Sequence, residues 1–163
     1  MDKYFVIDFD STFISIESLD LLAEVSLKQF PDKDLILEKI KEITSDGMVG
    51  KIGFRDSLEK RLKLMDFSKA DIEKTVKILR KNITPSILRN KKFFKANKER
   101  IYIISGGFEE LILPVVEDFG ILKDHILANK FLFKNGKAIG FDKKRETSQA
   151  QGKAAAVRNL GLK

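Results

Sequence analysis

Two carboxylates near the start of the chain pose the first chemical question. Tyr4-Phe5-Val6-Ile7 is apolar and runs into Asp8-Phe9-Asp10-Ser11-Thr12. A short apolar run predicts a buried strand, of the kind found in parallel sheets. Side chains at i and i+2 of an extended chain share one face. Asp8 and Asp10 are therefore pushed together at the mouth of a sheet. Like charges held so close need a cation or a shared proton. Taken alone, the same residues also read as a strand end with an Asp-Ser helix cap.

Two later stretches could serve the same chemistry. Ile101 to Ile104 reads as a second short buried strand, and Ser105-Gly106-Gly107 follows it before a helix. Glycines let a backbone approach a ligand closely. The N–H groups at a helix start, with a hydroxyl beside them, suit a phosphate. Gln151-Gly152-Lys153 opens the last predicted helix and puts one ammonium in reach of the same anion. Singly, these are a Gly-rich turn and one surface lysine among many. In combination they give an acid pair, a hydroxyl with glycines, and a lysine, in that order.

The elements that must position these groups follow from periodicity. After Thr12 the pattern turns helical, from Ile14 to Phe30, and Pro31 ends it. Further helices are predicted for Leu35 to about Gly47, Phe54 to Met65, and Lys69 to Lys81. Ser68 is the N-cap of the last, with Asp71 three residues on. Ile83-Thr84-Pro85 reads as a linker, and Ser86 to Ala96 resumes a helix. Phe108 to Phe119 is helical, with Pro114 inside. Ile126 to Phe133 is a third strand, Asn135-Gly136 a hairpin turn into Lys137–Phe141, and Gln149 to Leu160 a final helix. Strand and helix alternation after Ser86 predicts an α/β fold with a parallel, Rossmann-like sheet. Residues 1–13 and 86–163 form that core, and 14–85 form an all-helical insertion. Ligands of such sheets bind at the carboxyl ends of strands, where Asp8, Asp10 and Ser105 all fall.

Bulk properties narrow the function classes. The 163 residues suffice for one core with an insert, and 43% hydrophobic and 34% charged residues fit a water-soluble fold. No apolar run is long enough to cross a bilayer, and the start lacks a signal-peptide layout. Cysteine is absent, which excludes disulfides, thiolate metal sites and cysteine nucleophiles. A cytoplasmic protein is expected. His125 is the single histidine, so multi-histidine metal sites are excluded, and it reads as structural. The net charge of +7 is spread among interleaved acids, with no nucleic-acid-binding motif. An anionic small substrate uses such a surplus equally well.

VIDFDST (Val6–Thr12), ISGGF (Ile104–Phe108) and Lys153 together resemble the first three motifs of haloacid dehalogenase-type phosphatases. EITSDGMVGKIGFRDSLEKRLKLM (Glu42–Met65) is similar to the helical cap of the phosphoserine phosphatase type, and Glu17 falls where that type has its substrate glutamate. The resemblance covers nearly the whole chain. It implies Asp8 as nucleophile and Asp10 as general acid and base. It implies Mg²⁺ held by the Asp8 carboxylate and the Asp10 carbonyl. Ser105, Gly106 and Lys153 would clamp the phosphoryl group, with Thr12 nearby. Glu17 would meet an ammonium and Arg61 a carboxylate, while Met48 and Phe54 would close over the site. Without the resemblance, those four cap residues are surface charges and cap packing.

The chain also departs from the family. The family continues into a strand with a Gly-Asp-Gly and acidic motif that completes the metal site. Asp142 and Glu146 do not sit in that pattern. The expectation is a C-terminally incomplete core whose first strand has an open edge, filled by a C-terminal segment or by a second copy in a homodimer. A non-catalytic phosphate- or phosphoserine-binding module stays open as an alternative. So does a phosphatase for another amine-bearing phosphate monoester.

Overall fold

The computed structural model describes residues 3–149 and 151–161. Three strands form a parallel sheet in the order β1 (Phe5–Ile7), β2 (Ile101–Phe108), β3 (Ile126–Asn129). Phe5 lies opposite Ile101, and Ile104 opposite Leu127. Ile101, Ile103 and Ile104 are buried, as a central strand covered on both faces requires. The apolar runs at Phe5, Ile101 and Ile126 are thus the sheet, and because the strands are parallel their carboxyl ends lie along one edge.

Strand β2 outruns its predicted end at Ile104. Pairing continues to Phe108 opposite Asn129, with a slip in register between Ile104 and Phe108. Two glycines should weaken a strand. Here the Asn129 side chain donates to the Gly106 carbonyl at 2.8 Å, so Ser105–Gly107 stays extended as an irregular bulge instead of turning.

The predicted strand from Ile126 to Phe133 breaks at Lys130. Its second half, β4 (Phe131–Lys134), pairs antiparallel with β5 (Lys137–Phe141) in a separate hairpin. The Phe131 N–H donates to the Glu110 carboxylate at 3.1 and 3.2 Å instead of to a sheet neighbour. Its ring stacks on Phe108 with centroids 3.7 Å apart. Both halves are apolar runs interrupted only by Asn129-Lys130, which is why the sequence reads them as one. The turn itself is as expected, with Asn135 and Gly136 at φ 49° and 79°.

Helices α1 (Ser18–Ser26), α2 (Lys33–Met48), α3 (Phe54–Lys63) and α4 (Lys69–Leu79) follow β1. The first begins later than predicted. Phe9–Phe13 makes one wide turn of π type, and Ile14 is extended and bridges Ile83. Ile14 is buried through that bridge, not on a helix face. The capping box of α4 forms as predicted, Ser68 and Asp71 bonding each other's backbone N–H. The helix expected over 86–96 is two, α5 (Pro85–Arg89) and α6 (Lys91–Ala96), meeting at Asn90. The Asn90 amide donates back to the Ser86 carbonyl, which caps the first piece. Helices α7 (Glu109–Val116) and α8 (Gly152–Asn159) complete the α-helices among the described residues. His125 is structural, its Nδ1 hydrogen-bonded to the Ile101 carbonyl and its ring stacked on Tyr102.

A cluster of aromatic rings fixes the turn after β1. Phe9 and Phe13 are fully buried, and Phe13 meets Phe119 and Phe94 edge-on at 5.0 and 5.7 Å. Asp10 and Ser11 lie between these two anchors. Their unusual backbone is therefore held by packing on both sides.

Candidate active site

A cleft of about 240 Å³ opens at the carboxyl ends of β1 and β2, beneath the helices that follow β1. Asp8, Asp10, Glu17, Met48, Phe54, Arg61, Ser105, Gly106 and Lys153 all line it. Of the residues singled out in the sequence, Thr12 lies elsewhere. Its carbonyl accepts the Thr84 hydroxyl at 2.7 Å, where the chain crosses back from the helices to the sheet. The polar turn residue serves the connection, not the cleft.

Asp8 sits one residue beyond β1. One of its oxygens accepts the Phe9 N–H at 2.8 Å, and the other is paired with the Lys153 ammonium. Lys153 reaches it from the first turn of α8. The strand end and the helix start, far apart in sequence, thus deliver opposite charges to one point.

Asp10 takes an extended backbone, φ −65° and ψ 137°, inside the turn. It accepts the Ser18 N–H at 2.7 Å, so it caps the beginning of α1. Burial pushes its pKa up to about 6, the Ser18 hydrogen bonds oppose that rise, and the Glu17 and Asp8 charges add to it. The Lys153 ammonium supplies the cation for Asp8, and burial makes Asp10 the carboxyl that holds its proton longer as pH rises.

Ser105 is buried, and its Oγ accepts the Gly107 N–H at 2.9 Å. Its own hydrogen is then free for another acceptor. A Cβ on Gly106 would lie 2.6 Å from the tip of the Phe54 ring, so any larger residue there would have to displace that ring. That contact brings the start of α3 down onto the bulge in β2.

The opposite wall carries Glu17 and Arg61. The Ser11 hydroxyl donates to Glu17 at 2.6 Å from a left-handed backbone, φ 53°. Arg61 is 8% exposed and donates to the Ser57 carbonyl and the Thr44 hydroxyl. Among the described residues no carboxylate stands within ion-pairing distance of it. Burial lowers its pKa, while Asp20, Glu17 and Asp10 act the other way. Burial likewise raises Asp20, with Arg61 opposing. A buried cation with neutral partners, facing a cleft, is arranged to receive an anion.

Sequence reading missed Thr44 and Ser57, which line the cleft and hold Arg61. A signal existed. Thr44 lies one helical turn before Met48, and Ser57 one turn before Arg61, on the faces already chosen. Leu19, Leu58 and Phe108 complete the apolar lining.

Comparison with known proteins agrees with this geometry. The profile of the haloacid dehalogenase-like hydrolase family matches residues 5–162. The chloroplastic phosphoserine phosphatase of Arabidopsis thaliana is 34% identical over 154 residues, covering 94% of this chain and 50% of that protein. A phosphoserine phosphohydrolase-like protein from Francisella tularensis superposes with a TM-score of 0.81 at 30% identity, covering 99% of this chain and 74% of that one. A substrate-bound phosphoserine phosphatase complex superposes with a TM-score of 0.77 at 26% identity, covering 99% and 71%. The chain spans about half of the length of the first curated relatives it matches, 50% and 53%. With motifs, sheet order and family profile in agreement over nearly its whole length, this chain belongs to the haloacid dehalogenase-like hydrolase family.

Proposed function

We propose that the cleft hydrolyses a small phosphate monoester, O-phosphoserine, to serine and inorganic phosphate. One observation carries the reading. A carboxylate paired with an ammonium, Asp8 with Lys153, stands beside a second carboxyl whose proton is held to about pH 6. Across the cleft, Glu17 and the buried Arg61 supply one negative and one positive group. A phosphoester bearing both an ammonium and a carboxylate matches all of these charges. The similarity to proteins named phosphoserine phosphatases supports the same substrate.

The residues then divide the work. Lys153, the Ser105 hydroxyl and the Gly106 N–H bind the phosphoryl oxygens, and positioning with charge stabilisation supplies most of such catalysis. An Asp8 oxygen attacks phosphorus, and the bond to the serine oxygen breaks. Protonated Asp10 gives its proton to that leaving oxygen. Asp10, now ionised, takes a proton from water as the water oxygen attacks the aspartyl phosphate. Phosphate leaves, and Asp8 and Asp10 return to their starting states. Glu17 and Arg61 orient the amino-acid end, and Phe54 shields the reacting centre from water, while Met48, 71% exposed at the rim, is left to close over bound substrate. Residues 14–85 act as the cap in this scheme, on a core of residues 1–13 and 86–163.

The donor set fits Mg²⁺ in its simplest mode. That ion is held by one or two carboxylates, with phosphate oxygens and water filling its shell. Asp8 offers a carboxylate and Asp10 a carbonyl, whereas no cluster of three acids or histidines occurs among the described residues. When bound, the ion would offset repulsion between the Asp8 carboxylate and the phosphate. No helix among the described residues is long and apolar enough to cross a membrane.

The test is phosphate release from O-phosphoserine with Mg²⁺ present, by the wild type and by Asp8→Asn. Release by the wild type and loss in the variant are expected, with both folded by circular dichroism. Equal release by both would remove Asp8 as nucleophile. Binding of O-phosphoserine without release would leave a binding module instead.

A further inference from the structure

Asn129 stands at the carboxyl end of β3, fully buried, and takes no part in the chemistry above. Its amide nitrogen donates to the Gly106 carbonyl at 2.8 Å. Its amide oxygen accepts the Thr147 hydroxyl at 3.1 Å. A carbonyl only accepts, so the nitrogen must face Gly106. The Gly106 carbonyl belongs to the peptide whose N–H is that of Gly107. That N–H donates to the Ser105 Oγ. A trans peptide is planar, with C=O and N–H pointing opposite ways. Fixing the carbonyl therefore fixes the direction of the N–H, and with it the Ser105 lone pair that is used.

The other arm of Asn129 reaches the second half of the anion clamp. Thr147 lies in the turn Glu146–Ser148, which packs against the start of α8. The Glu146 carbonyl sits 1.9 Å from where a Cβ on Gly152 would be. Lys153 is the next residue. One buried amide thus ties the bulge carrying Ser105 and Gly106 to the turn that seats Lys153.

We propose that Asn129 is the positioning residue of the phosphoryl site, holding the Ser105 hydroxyl free to donate and keeping it in register with Lys153. The inference rests on the phosphoryl reading of the cleft and adds a residue outside it. Asn129→Ala removes both bonds. Asn129→Asp keeps size and the Thr147 bond, but sets an oxygen against the Gly106 carbonyl. Thr147→Val removes only the outer bond.

The experiment is calorimetric titration of the full chain with inorganic phosphate at neutral pH, alongside melting curves. Val115→Ala, a cavity in the same core at a side chain that makes none of these hydrogen bonds, calibrates loss of stability alone. Asn129→Asp and Asn129→Ala should each weaken phosphate binding by about tenfold or more, the scale of one buried hydrogen bond left unmade. Thr147→Val should weaken it less. The double variant Asn129→Ala with Thr147→Val should bind as Asn129→Ala alone, since the second bond acts through the first. Wild-type affinity in Asn129→Asp would overturn the proposal. So would an equal loss in Val115→Ala at matched melting temperature. Should the wild type fail to bind phosphate, the phosphoryl reading falls and takes this inference with it. Wild-type binding with unchanged variants removes the role of Asn129 alone.

Discussion

Asp10 holds its proton to higher pH in the fold than outside it, at a cost to stability. Its folded pKa stands at about 6 against an ordinary 3.8. Between those values the folded state holds a proton that the unfolded state has released. Stability therefore falls as pH rises through that window, by about 3 kcal/mol in all. Asp10→Asn keeps the acceptor for the Ser18 N–H and removes the charge. The variant should be more stable than wild type at pH 8, and the gain should vanish near pH 4. Chemical denaturation across that range measures it, and a variant less stable at pH 8 would show that the carboxylate is not under strain. The opposite wall gives a second expectation. Arg61→Ala removes a buried cation that faces the cleft from α3. It should raise KM for O-phosphoserine by about tenfold or more, the value of a charged hydrogen bond. O-phosphoethanolamine, which lacks the carboxylate, should be nearly unaffected. Equal losses for both substrates would give Arg61 a packing role.

At the level of elements, the site depends on three segment ends meeting: β1, the bulge in β2, and the start of α8. The last is the tightest. Gly152 has no room for a side chain, because the obstacle is the backbone of Glu146 and Thr147. Gly152→Ala must displace either that turn or α8, and either shift moves Lys153 from Asp8. Phosphate binding should be lost, and melting should drop by several degrees. Normal binding would mean that α8 adapts without moving its lysine. Much of this arrangement was legible in the chain. Apolar runs leading into Asp8-Phe9-Asp10 and Ser105-Gly106-Gly107 mark where strands reach the site, and the carboxyl ends of parallel strands share one edge of the sheet. What escaped was decided by side chains distant in sequence. The extension of β2 depends on Asn129 holding Gly106. The break after β3 depends on Glu110 taking the Phe131 N–H. Ile14 mimics a helix position because Ile83 makes it a strand-like bridge. Local pattern contains none of those partners, whereas Ser68 with Asp71 is a local device and was read correctly.

Two sets of contacts fasten the helices after β1 to the rest of the fold, one at the chain crossing and one at the β4–β5 hairpin. The crossing is stitched by Ser15 N–H to the Asn82 carbonyl and Thr84 N–H to the Phe13 carbonyl. The far side is clasped by Arg55 donating to the Lys143 carbonyl at 3.0 Å, the Glu59–Lys143 ion pair at 2.7 Å, and Lys69 N–H to the Gly136 carbonyl. Strand β1 has no such support. Among the described residues it pairs with β2 alone, and Val6 is 45% exposed with Tyr4 and Phe93 also open. An apolar edge with unused backbone groups is a template for another strand. Two copies can satisfy each other there by a two-fold pairing of β1 with β1. Sedimentation should therefore show reversible dimers that grow with concentration, and Val6→Lys should hold the protein monomeric with its helix content unchanged. The consequence reaches the site, since Asp8 follows directly on this strand. Pairing would steady Asp8, so phosphate affinity should rise with protein concentration in the wild type and stay flat in Val6→Lys. A wild type that remains monomeric at all concentrations, with constant affinity, would show that β1 is held firmly enough by β2 and the aromatic cluster.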